Sequence, residues 1–233
     1  MSSIKGIIFD LDGTLIDSLE TYLLAFNHTV KRYNLETIDL REMTDFLNQF
    51  LSLEQLLLRL YPSLTPEDIQ KFMMEMRDEF ISLAKHHITL KPHAKEVLLS
   101  LKERGMKIGV ATGRMTQGDG KWRELNNLNI NTLIDAVVTA GETKPKPNPA
   151  CIIKCAEKLR IPLEKCVFVG DSKADIIAGR SAGVQVIALP TGVATRDELL
   201  KEMPGFLLDC LSELPAQVEK ISQGINSIPR EST

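Results

Sequence analysis

GIIFDLDGTLID, Gly6 to Asp17, is an apolar run that delivers two aspartates, Asp10 and Asp12, and the hydroxyl of Thr14 to the point where the run must stop. Ile4, Ile7, Ile8 and Phe9 suit a strand covered on both faces, whereas Asp, Gly and Thr resist its continuation and favour a turn. Ligands of open parallel sheets bind at such carboxyl ends. Two acids two residues apart in that turn can face one crevice, one close enough to attack and the other close enough to move a proton.

Three further segments end in the same way. KIGVAT places a buried strand at Ile108 to Ala111, with Thr112, Gly113 and Arg114 at its end. A hydroxyl and a closely approachable backbone are what a phosphoryl oxygen requires. TKPKPNP follows the apolar strand Ala136 to Thr139, and its prolines make an extended segment that holds a lysine in one direction. Lys144 and Lys146 compete for that role, and proline spacing does not choose between them. Last, KCVFVGDSKADIIAG sets Asp171, Ser172 and Asp175 after the strand Val167 to Val169. Asp171 and Asp175 are four apart, so both can lie on one side of a helix start. Meeting Asp10 and Asp12, they make four clustered acids that need a cation. With no His or Cys in the set, a hard, oxygen-seeking ion such as Mg²⁺ fits.

These four segments, in this order, resemble the motifs of the haloacid dehalogenase superfamily. The match is to its phosphatase branch with a helical cap, the phosphoglycolate phosphatase and β-phosphoglucomutase type. The resemblance implies that Asp10 is the nucleophile, forming an aspartyl-phosphate, and that Asp12 is the general acid and base. It implies that Thr112, Gly113 and the backbone amides after Asp10, at Leu11 and Asp12, hold the phosphoryl group. It makes Lys144, the first lysine of the KPxP pattern, the motif lysine. Mg²⁺ would be bound by Asp10, the Asp12 backbone carbonyl and Asp171, with Asp175 supporting it from the water shell. The implied activity is hydrolysis of small phosphomonoesters. A phosphomutase shares every one of these motifs and is the alternative, and a non-catalytic metabolite-binding protein is the reading from outside enzymology. A dehalogenase would lack the second acid, and a phosphonatase would need a cap lysine for a Schiff base.

The expected fold is a doubly wound parallel α/β sheet, Rossmann-like, with an inserted small helical cap. Strands near residues 4 to 10, 107 to 111, 135 to 139, 166 to 170 and 184 to 188 alternate with helical stretches. Residues 1–17 and 89–233 make the α/β domain and 18–88 the cap. In the cap, Thr65 and Pro66 start a helix on which Ile69, Phe72, Met73, Met76, Phe80 and Leu83 recur at helical spacing. Leu53, Leu56, Leu57 and Leu60 form a second stripe. Two crossings, near residues 16 to 19 and 86 to 92, suit a cap that opens and closes. Asn48 and Gln49 are the cap's specificity candidates, and Arg114 has two readings, a partner for a substrate carboxylate or second phosphate and a structural salt bridge.

Composition narrows the remaining classes. The chain has 233 residues, 43% hydrophobic, with a net charge of −3. That charge and a pI near 5.9 argue against a nucleic-acid surface. No signal segment or apolar run of about 18 residues is present, which points to the cytoplasm and away from membranes. The four cysteines lack paired zinc-type spacing and read as buried thiols. None of the four histidines is given a catalytic role. The expected partner is a small phosphorylated metabolite, with the chain a monomer or homodimer. The last dozen residues, from Ser222, are polar and weakly patterned and are expected to be disordered or loosely docked.

Overall fold

The computed structural model describes residues 3 to 224. The chain divides into two compact units, one taking it through Ile16 and again from Leu90, the other running Asp17–Thr89. Eight strands are described: β1 Gly6–Phe9, β2 Ile16–Asp17, β3 Thr89–Leu90, β4 Lys107–Thr112, β5 Ala136–Thr139, β6 Cys166–Gly170, β7 Gln185–Ala188 and β8 Phe206–Leu207. The helices are α1 Leu19–Arg32, α2 Leu40–Leu47, α3 Leu53–Leu60, α4 Pro66–His87, α5 Ala94–Glu103, α6 Arg123–Asn127, α7 Ala150–Leu159, α8 Lys173–Ala182, α9 Arg196–Lys201 and α10 Leu214–Ser222.

Six strands form one parallel sheet in the order β5-β4-β1-β6-β7-β8. β1 is central, and the chain leaves it first toward β4 and β5, then returns to its other side through β6. The carboxyl end of β1 is therefore a switch point, the place where such sheets open a crevice. Gly6–Phe9 is wholly buried, as a central strand covered on both faces requires. Ile8 packs with Phe168, Cys151, Cys155 and Ala178 in a cluster that joins the sheet to α7 and α8. Gly109 permits that packing, because a Cβ there would lie 2.4 Å from Cys155 Sγ. α5 packs on β4, and α10 on α5.

The unit Asp17–Thr89 is helical and has its own core, in which Phe26, Met43, Leu57 and Phe72 are fully buried. The leucine stripe of α3 divides into buried Leu56 and Leu57 and partly buried Leu53 and Leu60. Capping boxes start five helices: Asp39 with Glu42, Ser52 with Gln55, Thr65 with Asp68, Ser172 with Asp175 and Thr195 with Glu198. Each satisfies helix-end amides that would otherwise lack partners.

The structure departs from the sequence reading at the edges. β8 is two residues long, too short to leave an alternating pattern. The two crossings form the short strands β2 and β3, which pair with each other. Ser222 is docked and not loose: its Oγ accepts from the Ile4 amide at 3.3 Å and donates to the Val218 carbonyl at 3.0 Å. Residues 225 to 233 of that segment lie outside the described residues. All four cysteines are free; Cys151, Cys155 and Cys166 are buried and Cys210 is partly exposed. Among the described residues, no helix is long and apolar enough to cross a membrane.

Candidate active site

The sheet order sets the carboxyl ends of β4, β1 and β6 side by side. Thr112 is the last residue of β4, and Asp10 and Asp171 directly follow β1 and β6. The Asp10 amide still donates to the Val169 carbonyl at 2.8 Å, so ladder hydrogen bonding carries one residue past the strand and fixes where its carboxylate begins. The chain then turns on itself, the amides of Leu15 and Ile16 both donating to the Leu11 carbonyl at 3.0 Å. Gly13 has φ +86°, left-handed backbone that glycine adopts without strain.

Asp10, Asp171 and Asp175 are buried, at 6%, 2% and 1% exposure, and offer carboxylate oxygens within 4.8 Å of one another. Lys146 closes the group. Its Nζ lies 2.5 Å from Asp10 Oδ1, 2.5 Å from Asp175 Oδ1 and 3.2 Å from the Ala111 carbonyl. The other Asp175 oxygen accepts from the Ser172 amide and hydroxyl at the start of α8. Asp171 takes a hydrogen bond from Thr14 Oγ1 at 2.7 Å and one from the Val193 amide at 3.3 Å.

One ammonium among three buried carboxylates leaves a surplus of negative charge. Burial, opposed by Lys146 and reinforced by the neighbouring acids, holds the Asp10 carboxyl well above the usual range. Burial and Asp175 push Asp171 up to about 7. Burial opposes the Lys146 charge, but Asp10 and Asp175 outweigh it and its pKa is raised. This surplus, on oxygen donors alone, fits a hard divalent cation. Two glycines keep Asp171 in place. A Cβ on Gly13 would stand 2.5 Å from Asp171 Oδ2, and one on Gly192 only 1.7 Å from it.

The lysine in the site is Lys146, a correction to the expectation of Lys144. Lys144 is exposed at the outer end of its loop, and two residues further on the chain has come close enough to the acids for an ammonium to reach them. The two Lys-Pro pairs are identical locally, so no short-range signal separates them.

Asp12 lies beside this cluster with a side chain 36% exposed. Arg114 meets it with both arms of its fork: Nε donates to Oδ2 at 2.9 Å and Nη2 to Oδ1 at 2.7 Å. Nη1 lies 3.1 Å from Glu124 Oε2, on a buried carboxylate of α6. The guanidinium, only 13% exposed, thus turns inward against the protein's own acids, which is the structural salt bridge among the two roles the sequence left open for Arg114. Glu124 was not anticipated, since an acid in a polar stretch carries no local mark. Thr112 Oγ1 accepts from the Arg114 amide at 3.2 Å and stands 3.5 Å from Asp12 Oδ2. A Cβ on Gly113 would touch nothing within 4 Å, so packing does not demand glycine there. Leu11 is buried and contributes backbone. Asn48 and Gln49 belong to the helical unit, where Gln49 donates to the Asp45 carbonyl and accepts from Arg59.

The sequence model described as haloacid dehalogenase-like hydrolase matches residues 7–189. Pyrophosphatase PpaX of Bacillus cereus is 29% identical over 212 residues, spanning 91% of this chain and 94% of its own. Among solved structures, a predicted phosphoglycolate phosphatase from Haemophilus somnus aligns with a TM-score of 0.82 at 25% identity, over 93% of this chain and 99% of that one. CbbY from Rhodobacter sphaeroides, in complex with phosphate, aligns at 0.78 over 91% of this chain and 96% of its own; at 23% identity that likeness is one of fold alone.

Proposed function

The chain belongs to the haloacid dehalogenase-like hydrolase family, and on that premise we propose that it is a Mg²⁺-dependent phosphatase of small phosphorylated metabolites, working through an aspartyl-phosphate on Asp10. The observation that carries this reading is Asp10 itself, a buried carboxylate at the end of the central strand with the Lys146 ammonium 2.5 Å away and Asp12 two residues on.

In the proposed reaction Asp10 attacks phosphorus and the ester oxygen departs with a proton from Asp12. Water then displaces Asp10 from the phosphoryl group, giving its proton to Asp12. Splitting the hydrolysis in this way replaces one difficult displacement by two easier ones. Lys146, the Thr112 hydroxyl and the backbone at Leu11, Asp12 and Gly113 would hold the phosphoryl oxygens. Asp10, the Asp12 carbonyl and Asp171 would hold Mg²⁺, with Asp175 supporting from outside that set. When bound, the ion neutralises charge on the transferring group.

The test is phosphate release from a panel of small phosphomonoesters, with inorganic pyrophosphate included because of the named pyrophosphatase relatives. Release that requires Mg²⁺ supports the reading and ranks the substrates. No release from any of them contradicts it, and isomerisation of a hexose phosphate faster than phosphate release would make the chain a mutase.

A further inference from the structure

The least expected group in the site is a nearly buried guanidinium held between two acids. Arg114 spends Nε and Nη2 on the two oxygens of Asp12 and sets Nη1 against Glu124. A planar fork engaging both oxygens of a carboxylate fixes its plane as well as its position, which a single hydrogen bond does not. Asp12 benefits from such a constraint. It sits on a turn, its side chain is 36% exposed, and catalysis by it depends on hydrogen-bond reach to the reacting oxygen. Glu124, with a side chain 7% exposed, holds the far arm of the fork so that the guanidinium cannot swing away. The Arg114 amide also donates to Thr112 Oγ1, so one residue registers the hydroxyl of the phosphate site against Asp12.

We propose that Arg114, aligned by Glu124, is the positioning residue that presents Asp12 as a proton acceptor in the second displacement. This rests on the phosphatase reading. In that step water bonds to the phosphorus carried by Asp10 and loses one proton to Asp12. The bond from phosphorus to the Asp10 oxygen breaks, inorganic phosphate leaves, and Asp10 is again a carboxylate. The proton taken by Asp12 goes to the departing ester oxygen in the next cycle.

The test is pre-steady-state release of p-nitrophenol from p-nitrophenyl phosphate with Mg²⁺, comparing the wild-type chain with Arg114→Ala, Arg114→Lys and Glu124→Gln. This leaving group departs with little help from an acid, so the first displacement stays fast while the second slows. In Arg114→Ala a burst of one p-nitrophenol per enzyme is expected, followed by turnover lower by about 10-fold or more. Arg114→Lys should restore part of the turnover, and Glu124→Gln should show the same burst with a smaller loss. Should Arg114→Ala fail to melt cooperatively, the other two variants carry the test. A fall in kcat without a burst, or a raised KM at unchanged kcat, would overturn the proposal while leaving the phosphatase reading intact. No release by the wild-type chain from p-nitrophenyl phosphate or from any member of the panel above would overturn both.

Discussion

The Lys146 ammonium nitrogen lies 2.5 Å from Asp10 Oδ1, deep in the site, while Lys144 is exposed. Lys146→Ala is expected to lower turnover by about 10²-fold or more, the scale of losing one group that stabilises transition-state charge. Lys144→Ala should leave turnover unchanged. Removing Lys146 also strands buried carboxylates, so the metal-free variant should lose on the order of 3–5 kcal/mol of stability at neutral pH. Steady-state kinetics and urea denaturation of the two variants check both statements. A larger kinetic loss in Lys144→Ala would reverse the assignment.

Asp171 gives the metal-free protein a pH dependence. Its carboxyl is pushed from the ordinary 3.8 to about 7, chiefly by burial. Between those values the folded chain keeps a proton that the unfolded chain has lost, so this group's contribution to stability falls as pH rises through the window. A cation needs the ionised form, so its stabilising effect grows over the same range. The shift in Tm on adding Mg²⁺ over a chelator control should therefore be larger at pH 8 than at pH 5. An equal shift, or a larger one at pH 5, would contradict the electrostatic picture of the cluster.

The collar around Asp171 makes a prediction that no active-site acid makes. In Gly192→Ala the added Cβ would fall 1.7 Å from Asp171 Oδ2 by the present geometry, so the carboxylate or the loop must move. Displacing a group that orients a metal ligand typically costs 10- to 100-fold in affinity. Calorimetric titration with Mg²⁺ should show a weakening of about that size while the thermal unfolding of the metal-free protein stays cooperative. Unchanged Mg²⁺ affinity would mean that Asp171 does not hold the ion.

The elements legible in the sequence are those whose signal is local. The strands near Ile7, Val110, Val138 and Phe168 are buried runs that end abruptly in an acid, a hydroxyl or glycine, the one near Ile187 is a buried run that ends before Leu189 and Pro190, and all five lie in the sheet. Thr65 and Pro66 announce α4 for the same reason. What stayed illegible depends on distance in the fold. Lys144 and Lys146 share one local pattern and differ only in where the returning chain brings them. Arg114 finds its second acid ten residues on in α6, and Gly192 serves an aspartate on a different strand end. β8 consists of two residues paired with β7, a strand by virtue of its neighbour and not of its own pattern.

The most direct measurement is rapid acid quench of the enzyme during turnover with Mg²⁺, followed by mass spectrometry of the peptide containing Asp10. A phosphoryl group is expected on Asp10 in the wild-type chain, and none in Asp10→Asn, which should also release no phosphate. Phosphate release that survives Asp10→Asn, or a phosphoryl group trapped on another residue, would contradict the assignment of Asp10 as nucleophile.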